Sequence, residues 1–215
     1  DHQRREKTQD RVDDDFAALA AETVLASQVQ IEAFEVKLDD YDEATVRALM
    51  DNQELLDAVS ARIDGMLLDA HVIYDGRRVF RTEDGMQVFD EHGVEVSTME
   101  IDPQIIDPSR PTWEAYSSEV VLQQDLISER RDLIEYQEHL DDAREQIAEG
   151  EISEADLEAL DAELMEMMPE PVKAHLPEMQ ASEPSIGAQA APDRSAGLTA
   201  GSPVAFTGLV PINGP

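Results

Sequence analysis

The chain has 215 residues, enough for one domain with tails or for two small domains. Apolar residues make up 41% of it and aromatics only 5%, so any core must be built mainly from Leu, Val, Ile, Met and Ala, a composition that favours helices over a sandwich or barrel. With 49 acids against 16 bases the formal charge is −33, and there is no cysteine; this disfavours nucleic acid and anionic membrane as direct partners and excludes disulfides, thiolate nucleophiles, iron–sulfur clusters and cysteine-type zinc sites.

Residues 1–11 mix Arg4, Arg5, Lys7 and Arg11 with acids and read as a solvated start. From Val12 the apolar residues Val12, Phe16, Leu19, Ala20 and Val24 recur at helical steps, and the pattern predicts a helix running to about Val36. The segment from Lys37 to Asp42 reads as a polar break, with Asp40 or Asp42 capping a second helix. Val46, Leu49, Leu56, Val59, Ile63 and Met66 give that helix one apolar face, and Gly65 falls near its end. Residues 1–68 are thus expected to form N-terminal helices.

The period then changes. Asp75-Gly76, Asp84-Gly85 and His92-Gly93 punctuate residues 69–100 at intervals of nine and eight, and Val79-Phe80 and Val88-Phe89 follow the first two. Asp-Gly permits the positive φ of tight hairpin turns. The β-prone runs between them, Val72–Tyr74, Val79–Arg81, Met86–Phe89 and Val94–Val96, predict a small antiparallel β-meander. A meander this small must pack on a helix or a partner to be stable. Pro103, Pro108 and Pro111 make residues 101–111 an extended connector.

Residues 112–176 predict an acidic helical hairpin. Leu122, Leu126, Leu133, Tyr136, Leu140, Ala143 and Ile147 follow a coiled-coil-like heptad seam along its longer arm. Gly150 ends that arm, Ser153 opens a second helix with the apolar face Leu157, Leu160, Leu164 and Met168, and Pro169 and Pro171 close it. The arms are unequal, so the longer one needs cover from elsewhere. Residues 177–215, rich in Ala, Ser, Gly and Pro and almost uncharged, are expected to be disordered, with an apolar end at Phe206, Leu209, Val210 and Ile212. The fold expected is therefore mainly α with a small antiparallel β-meander, a long helix plus helical hairpin, and a disordered C-terminal tail.

Motifs for chemistry are sparse. No register of the acids fits an EF-hand loop, and turn formation accounts better for the Asp-Gly pairs than metal binding. His2, His71, His92, His139 and His175 make no His-x-x-x-His or Glu-x-x-His pairing. There is no nucleophile elbow, phosphate loop or dinucleotide fingerprint. No catalytic residue, metal or cofactor is expected.

The reading that follows is a non-catalytic acidic interaction protein, a scaffold, adaptor or assembly component, binding a protein partner with a basic surface. Helical faces and the tail would carry the contact through Trp113, Tyr116, Leu122, Leu126, Leu133, Tyr136, Leu140, Phe206, Leu209, Val210 and Ile212. Trp113 and Tyr116 have a second reading, as core aromatics that lock the long helix onto the meander. Self-association through the seam is a further expectation. An acidic inhibitor or nucleic-acid mimic on a basic site is the first alternative, and a carboxylate-based hydrolase the second. The lack of cysteine fits a reducing cytosol, and no run of apolar residues approaches a membrane span; targeting is not read from a chain that starts at Asp1. Crowded carboxylates are also expected to have raised pKa values.

Overall fold

The computed structural model describes residues 24–181. Of the helix expected from Val12 to about Val36, residues 12–23 lie outside the described residues, as does the tail beyond 181, including Phe206, Leu209, Val210 and Ile212. Within them the protein is mainly helical, with four α-helices and a small four-stranded antiparallel sheet.

Helix α1 spans Gln28–Asp69 without interruption. It does not continue from an upstream helix: residues 24–27 are non-helical, and Ser27 caps α1 in a complete capping box with Gln30. The predicted break at Lys37 to Asp42 does not exist. Leu38 and Tyr41 are buried there, while Lys37 and Asp39 beside them are exposed and find partners. Lys37 pairs with Asp161 at 2.8 Å, and Asp39 with Arg144 at 2.9 Å. The polar run is therefore a solvated helix face, with neither Gly nor Pro to interrupt it.

Strands β1 (His71–Val72), β2 (Arg78–Arg81), β3 (Val88–Asp90) and β4 (Glu95–Val96) form a meander in chain order. Phe80 stands opposite Phe89, and Val88 opposite Val96. Each connecting turn ends on a glycine with positive φ: Gly76 at 85°, Gly85 at 72° and Gly93 at 82°. Their N–H groups donate to the carbonyls of Ile73, Thr82 and Asp90 respectively. This is the left-handed position that closes such a hairpin and that a Cβ disfavours. Asp90 is the one buried carboxylate among the described residues, and it accepts from the backbone N–H groups of His92 and Val94.

The proline-rich connector does more than join two regions. Ile101 and Ile106 fold over the outer face of the sheet and bury Ile73, Val79, Val88 and Val96 in a small core of their own. Arg77 to Glu100 at 2.9 Å, Gln104 to the Gly85 carbonyl at 3.3 Å and Arg81 to the Ile106 carbonyl at 3.2 Å strap it down. A 3₁₀ turn at Pro103–Ile105 sits in the middle of this cover.

Helix α2 spans Trp113–Ala148, with Thr112 as N-cap. It runs back along α1, which supplies most of the cover that its length demands. Gly150 and Glu151 both take positive φ and turn the chain into α3, Glu154–Met167, capped by Ser153. Residues 24–26 pair with this bend: Ala26 donates to the Ile152 carbonyl and Glu154 to the Val24 carbonyl. Pro169 and Pro171 do end α3, but they also open a further helix, α4, Glu170–Ala181. A proline in the first turn occupies a position whose N–H has no intrahelical partner anyway. The helix continues past Pro177, so the change in composition near that residue is not a structural boundary.

Two cores fill the space between the helices. One joins Phe34, Leu38, Tyr41, Ala44 and Ala48 of α1 to Leu133, Tyr136 and Leu140 of α2, with Leu157 and Leu164 of α3 and Val172 and Met179 of α4. The other joins Val59 and Ile63 of α1 and Tyr116 and Leu126 of α2 to Phe80 of the sheet. Asn52 lies between them, 2% exposed; its amide donates to the Leu126 carbonyl and to Glu129, both at 2.9 Å.

Candidate protein-interaction surface

The α2 residues expected to meet a partner sit mostly inside the molecule. Leu126, Leu133, Tyr136 and Leu140 are buried, because α1 lies along the seam and α3 and α4 close its far end. The Tyr136 hydroxyl donates to the Leu164 carbonyl at 3.1 Å, which fixes α3 against α2. Tyr116 is buried against Phe80, their rings stacked 4.1 Å apart, and its hydroxyl donates to the Glu91 carbonyl. Trp113 is half-buried and stacks on Phe89 at 4.8 Å. These two aromatics take the locking role, holding α2 onto the sheet. Leu122 alone among the described seam residues stays exposed. The heptad pattern therefore reports an intramolecular seam, since a periodic apolar row does not say whose surface covers it.

What remains outside is acidic. Every carboxylate of the described residues except Asp90 is at least partly solvated. Exposed apolar residues are scattered among them, with Met50 and Leu55 on α1, Val121 and Ile134 on α2, and Tyr74 and Met99 at the sheet end.

Three concavities bring acid and apolar groups together. One, of 360 Å³, lies over Ile152 and Leu160 with Glu149, Glu151, Asp156 and Glu163 around it. Of the other two, the first lies between α1 and α3, over Ala33, Phe34 and Leu157, with Glu154 and Asp161 at its rim. Its acids are already engaged: Gln30 donates to Glu154 at 2.7 Å, and Lys37 and Tyr41 both reach Asp161. The second, of 310 Å³, lies between α2 and the junction of α3 with α4. Asp132, Glu135, Tyr136 and His139 form its α2 side, and Met167 and Pro169 the other. His139 approaches Glu135 at 3.9 Å, and Asp132 has no side-chain partner among the described residues. Sequence periodicity marks Leu133 and Tyr136, which flank these acids, but it does not bring Met167 and Pro169 across to them; that needs the turn at Gly150 and Glu151.

Titration behaviour follows local bonding more than crowding. The carboxylates that shift clearly, Asp75, Asp84, Asp107 and Glu178, all move down, contrary to the rise expected from mutual repulsion. Burial pushes Asp75 up, but the backbone N–H and guanidinium of Arg77 together outweigh it. The Thr82 hydroxyl and the Met86 N–H lower Asp84, and the Ser109 N–H lowers Asp107. Glu178 is lowered by His175 and then by Arg47. A charge-stabilising hydrogen bond at contact distance outweighs diffuse repulsion that water screens. Burial pushes the Tyr41 and Tyr136 hydroxyls up, with Asp161 adding to the effect at both.

No cluster of three or more His, Asp or Glu among the described residues is arranged to hold a metal ion. No helix among them is long and apolar enough to cross a membrane. No protein-family model, no curated protein and no solved structure matches the chain.

Proposed function

We propose that this chain is a non-catalytic interaction protein, of the scaffold, adaptor or assembly type, that binds a basic protein surface through its acidic exterior. The observation that carries the reading is the division of labour between core and surface. The apolar seams are consumed within the chain, and the described surface left for a partner is rich in carboxylates. A formal charge of −33 favours encounter with cationic surfaces and opposes nucleic acid. Recognition by the outer helix faces replaces recognition by the seam, and the apolar segment at Phe206, Leu209, Val210 and Ile212 is proposed as a second contact.

The direct test is fluorescence anisotropy of a labelled amphipathic peptide of leucines and arginines, titrated with the full chain at about 50 mM salt and then at rising salt. Binding that weakens steeply with salt is expected. Absence of binding at the lowest salt overturns the proposal.

A further inference from the structure

We propose that Asp75, in the turn between β1 and β2, isomerises spontaneously to isoaspartate, restrained chiefly by Arg77, while the fold blocks the same step at Asp84.

The chemistry needs only what the chain and water supply. The backbone nitrogen of the following residue attacks Cγ of the aspartic acid. The new N–Cγ bond closes a five-membered succinimide. The Cγ–O bond breaks, and that oxygen leaves as water, with one proton from the nitrogen and one from the carboxyl. Water then reopens the ring. Attack at the former main-chain carbonyl leaves the chain running through Cβ and Cγ, which lengthens the backbone by one atom and returns a free carboxyl, so the net charge is unchanged. Glycine after the aspartate favours the attack, because no side chain crowds the nitrogen. Among the described residues Asp64, Asp75 and Asp84 meet that condition.

The fold separates the three. Gly65 lies inside α1, where its nitrogen belongs to the helix ladder. Gly76 and Gly85 each close a hairpin turn, donating to the Ile73 and Thr82 carbonyls at 2.9 Å. Each nitrogen can swing to the carboxyl carbon only when its turn opens, so the ease of opening governs the rate. The Asp84 turn is pinned from several sides. The Thr82 hydroxyl and the Met86 N–H both donate to Oδ1 of Asp84, and the Gln87 N–H donates to the Thr82 hydroxyl at 3.1 Å. Gln104 of the connector reaches the Gly85 carbonyl at 3.3 Å, and the Arg81 guanidinium fills the space beside Gly85.

The Asp75 turn lies at the sheet edge, where β1 is two residues long, and the space beside Gly76 is open. Its carboxyl is held by Arg77, whose N–H donates to Oδ1 at a long 3.3 Å and whose Nε donates to Oδ2 at 2.6 Å. Arg77 also slows the chemistry itself. An ionised carboxylate lacks the proton with which its oxygen departs. Burial pushes Asp75 up, but the bonds to Arg77 hold it below the ordinary carboxylate range. The extra backbone atom would fall between Ile73 and Arg77, whose N–H and carbonyl bond at 3.0 Å, so the modified turn loses its closure of the β1–β2 ladder.

The test incubates the folded full chain near neutral pH in water enriched in heavy oxygen. Peptides are then mapped by mass spectrometry with fragmentation that distinguishes isoaspartate. Deamidation at Asn213, which also precedes a glycine, is read on its own peptide. Heavy oxygen should enter at Asp75 at least about tenfold faster than at Asp84 or Asp64, a ratio equal to about 1.4 kcal/mol of extra opening cost. In concentrated urea the three rates should converge, since each aspartate has the same following residue. Arg77→Gln should speed Asp75 severalfold and leave Asp84 unchanged, whereas Thr82→Val should speed Asp84 and leave Asp75 unchanged. Equal rates at Asp75 and Asp84 in the folded chain overturn the proposal. So does an Asp75 that takes up label only in urea, or whose rate is the same with and without Arg77.

Discussion

The two ends of the α1–α2 pair bury the same kind of seam under different covers. At one end α3 and α4 close over Leu133, Tyr136 and Leu140, and the packing is helix on helix. At the other the sheet closes over Val59, Ile63 and Leu126, and the contact is made by rings: Phe80 on Tyr116 and Phe89 on Trp113. The helical cover is largely long-range, since α4 lies along α1, where Arg47 meets Glu178 and Asp51 meets His175. The sheet cover is the more local one, since the meander falls between α1 and α2 in the chain and is held by the connector. The difference teaches that a continuous helix pair does not need a uniform lid. It needs only that each stretch of its apolar stripe meets something of matching shape.

The sharpest way to break the comparison is to hollow out each end. Phe80→Ala should cost about 3–5 kcal/mol and Leu133→Ala about 2–5 kcal/mol, because both side chains are fully buried. Since α1 and α2 thread both cores, each variant should lower the midpoint of one shared unfolding transition in circular dichroism. Two separate transitions in either variant would show that the ends are independent.

The boundary between the ends is the next target. Asn52 donates to the Leu126 carbonyl and to Glu129 from a buried position. Asn52→Asp at neutral pH replaces this donor with a carboxylate facing two acceptors, and should cost about 3 kcal/mol. Such a carboxyl is held above its ordinary range in the fold, so its penalty should fade as the pH falls and it gains a proton to donate. Denaturant midpoints of the variant and the parent should therefore converge on acidification; a gap that stays constant would contradict the assignment.

The smallest effect concerns the cover at the helical end. His175 of α4 is 2.7 Å from Asp51 of α1 and 3.2 Å from Glu178, which also meets Arg47 at 3.0 Å. Burial lowers the His175 pKa, but hydrogen bonds to Glu178 and Asp51 raise it further, to a net value above the ordinary 6.5. The contribution is therefore complete below 6.5 and lost as the pH rises through the elevated value. Glu178, lowered from 4.5, works in the opposite sense: its contribution holds above 4.5 and is lost as the pH falls through the depressed value. Helix α4 should be best docked between about 4.5 and 6.5, and its amide exchange should quicken above that window after correction for the intrinsic rate. His175→Gln should abolish the dependence; an unchanged profile would remove the clasp.

Much of the architecture is legible in the residues, and the failures have specific causes. The meander is announced by its Asp-Gly turns, and the α2 seam by leucines at heptad steps. α1 carries an equally regular row, Phe34, Leu38, Tyr41, Thr45, Ala48, Asn52, Val59 and Ile63, but two of its members are polar. Thr45 satisfies its hydroxyl on the Tyr41 carbonyl and Asn52 its amide on α2, so both are buried without looking apolar. With those positions hidden, the charges from Lys37 to Asp42 read as a break. Helix α4 was obscured by its prolines, which mark a start as readily as a stop. The concavity between α2 and the α3–α4 junction was least legible of all, because Asp132 and Glu135 resemble every other acid in the sequence until Met167 and Pro169 stand opposite them.

The single tryptophan gives this molecule an optical asymmetry. Trp113 rests against Phe89, close to Gly93, at the sheet end, whereas the helical end holds only the weaker emitters Tyr41 and Tyr136. Indole emission, excited at the red edge where tyrosine is silent, will register the lifting of the meander from α2 and remain blind to a loosening of α4. An untouched fluorescence signal therefore vouches for one half of the protein only.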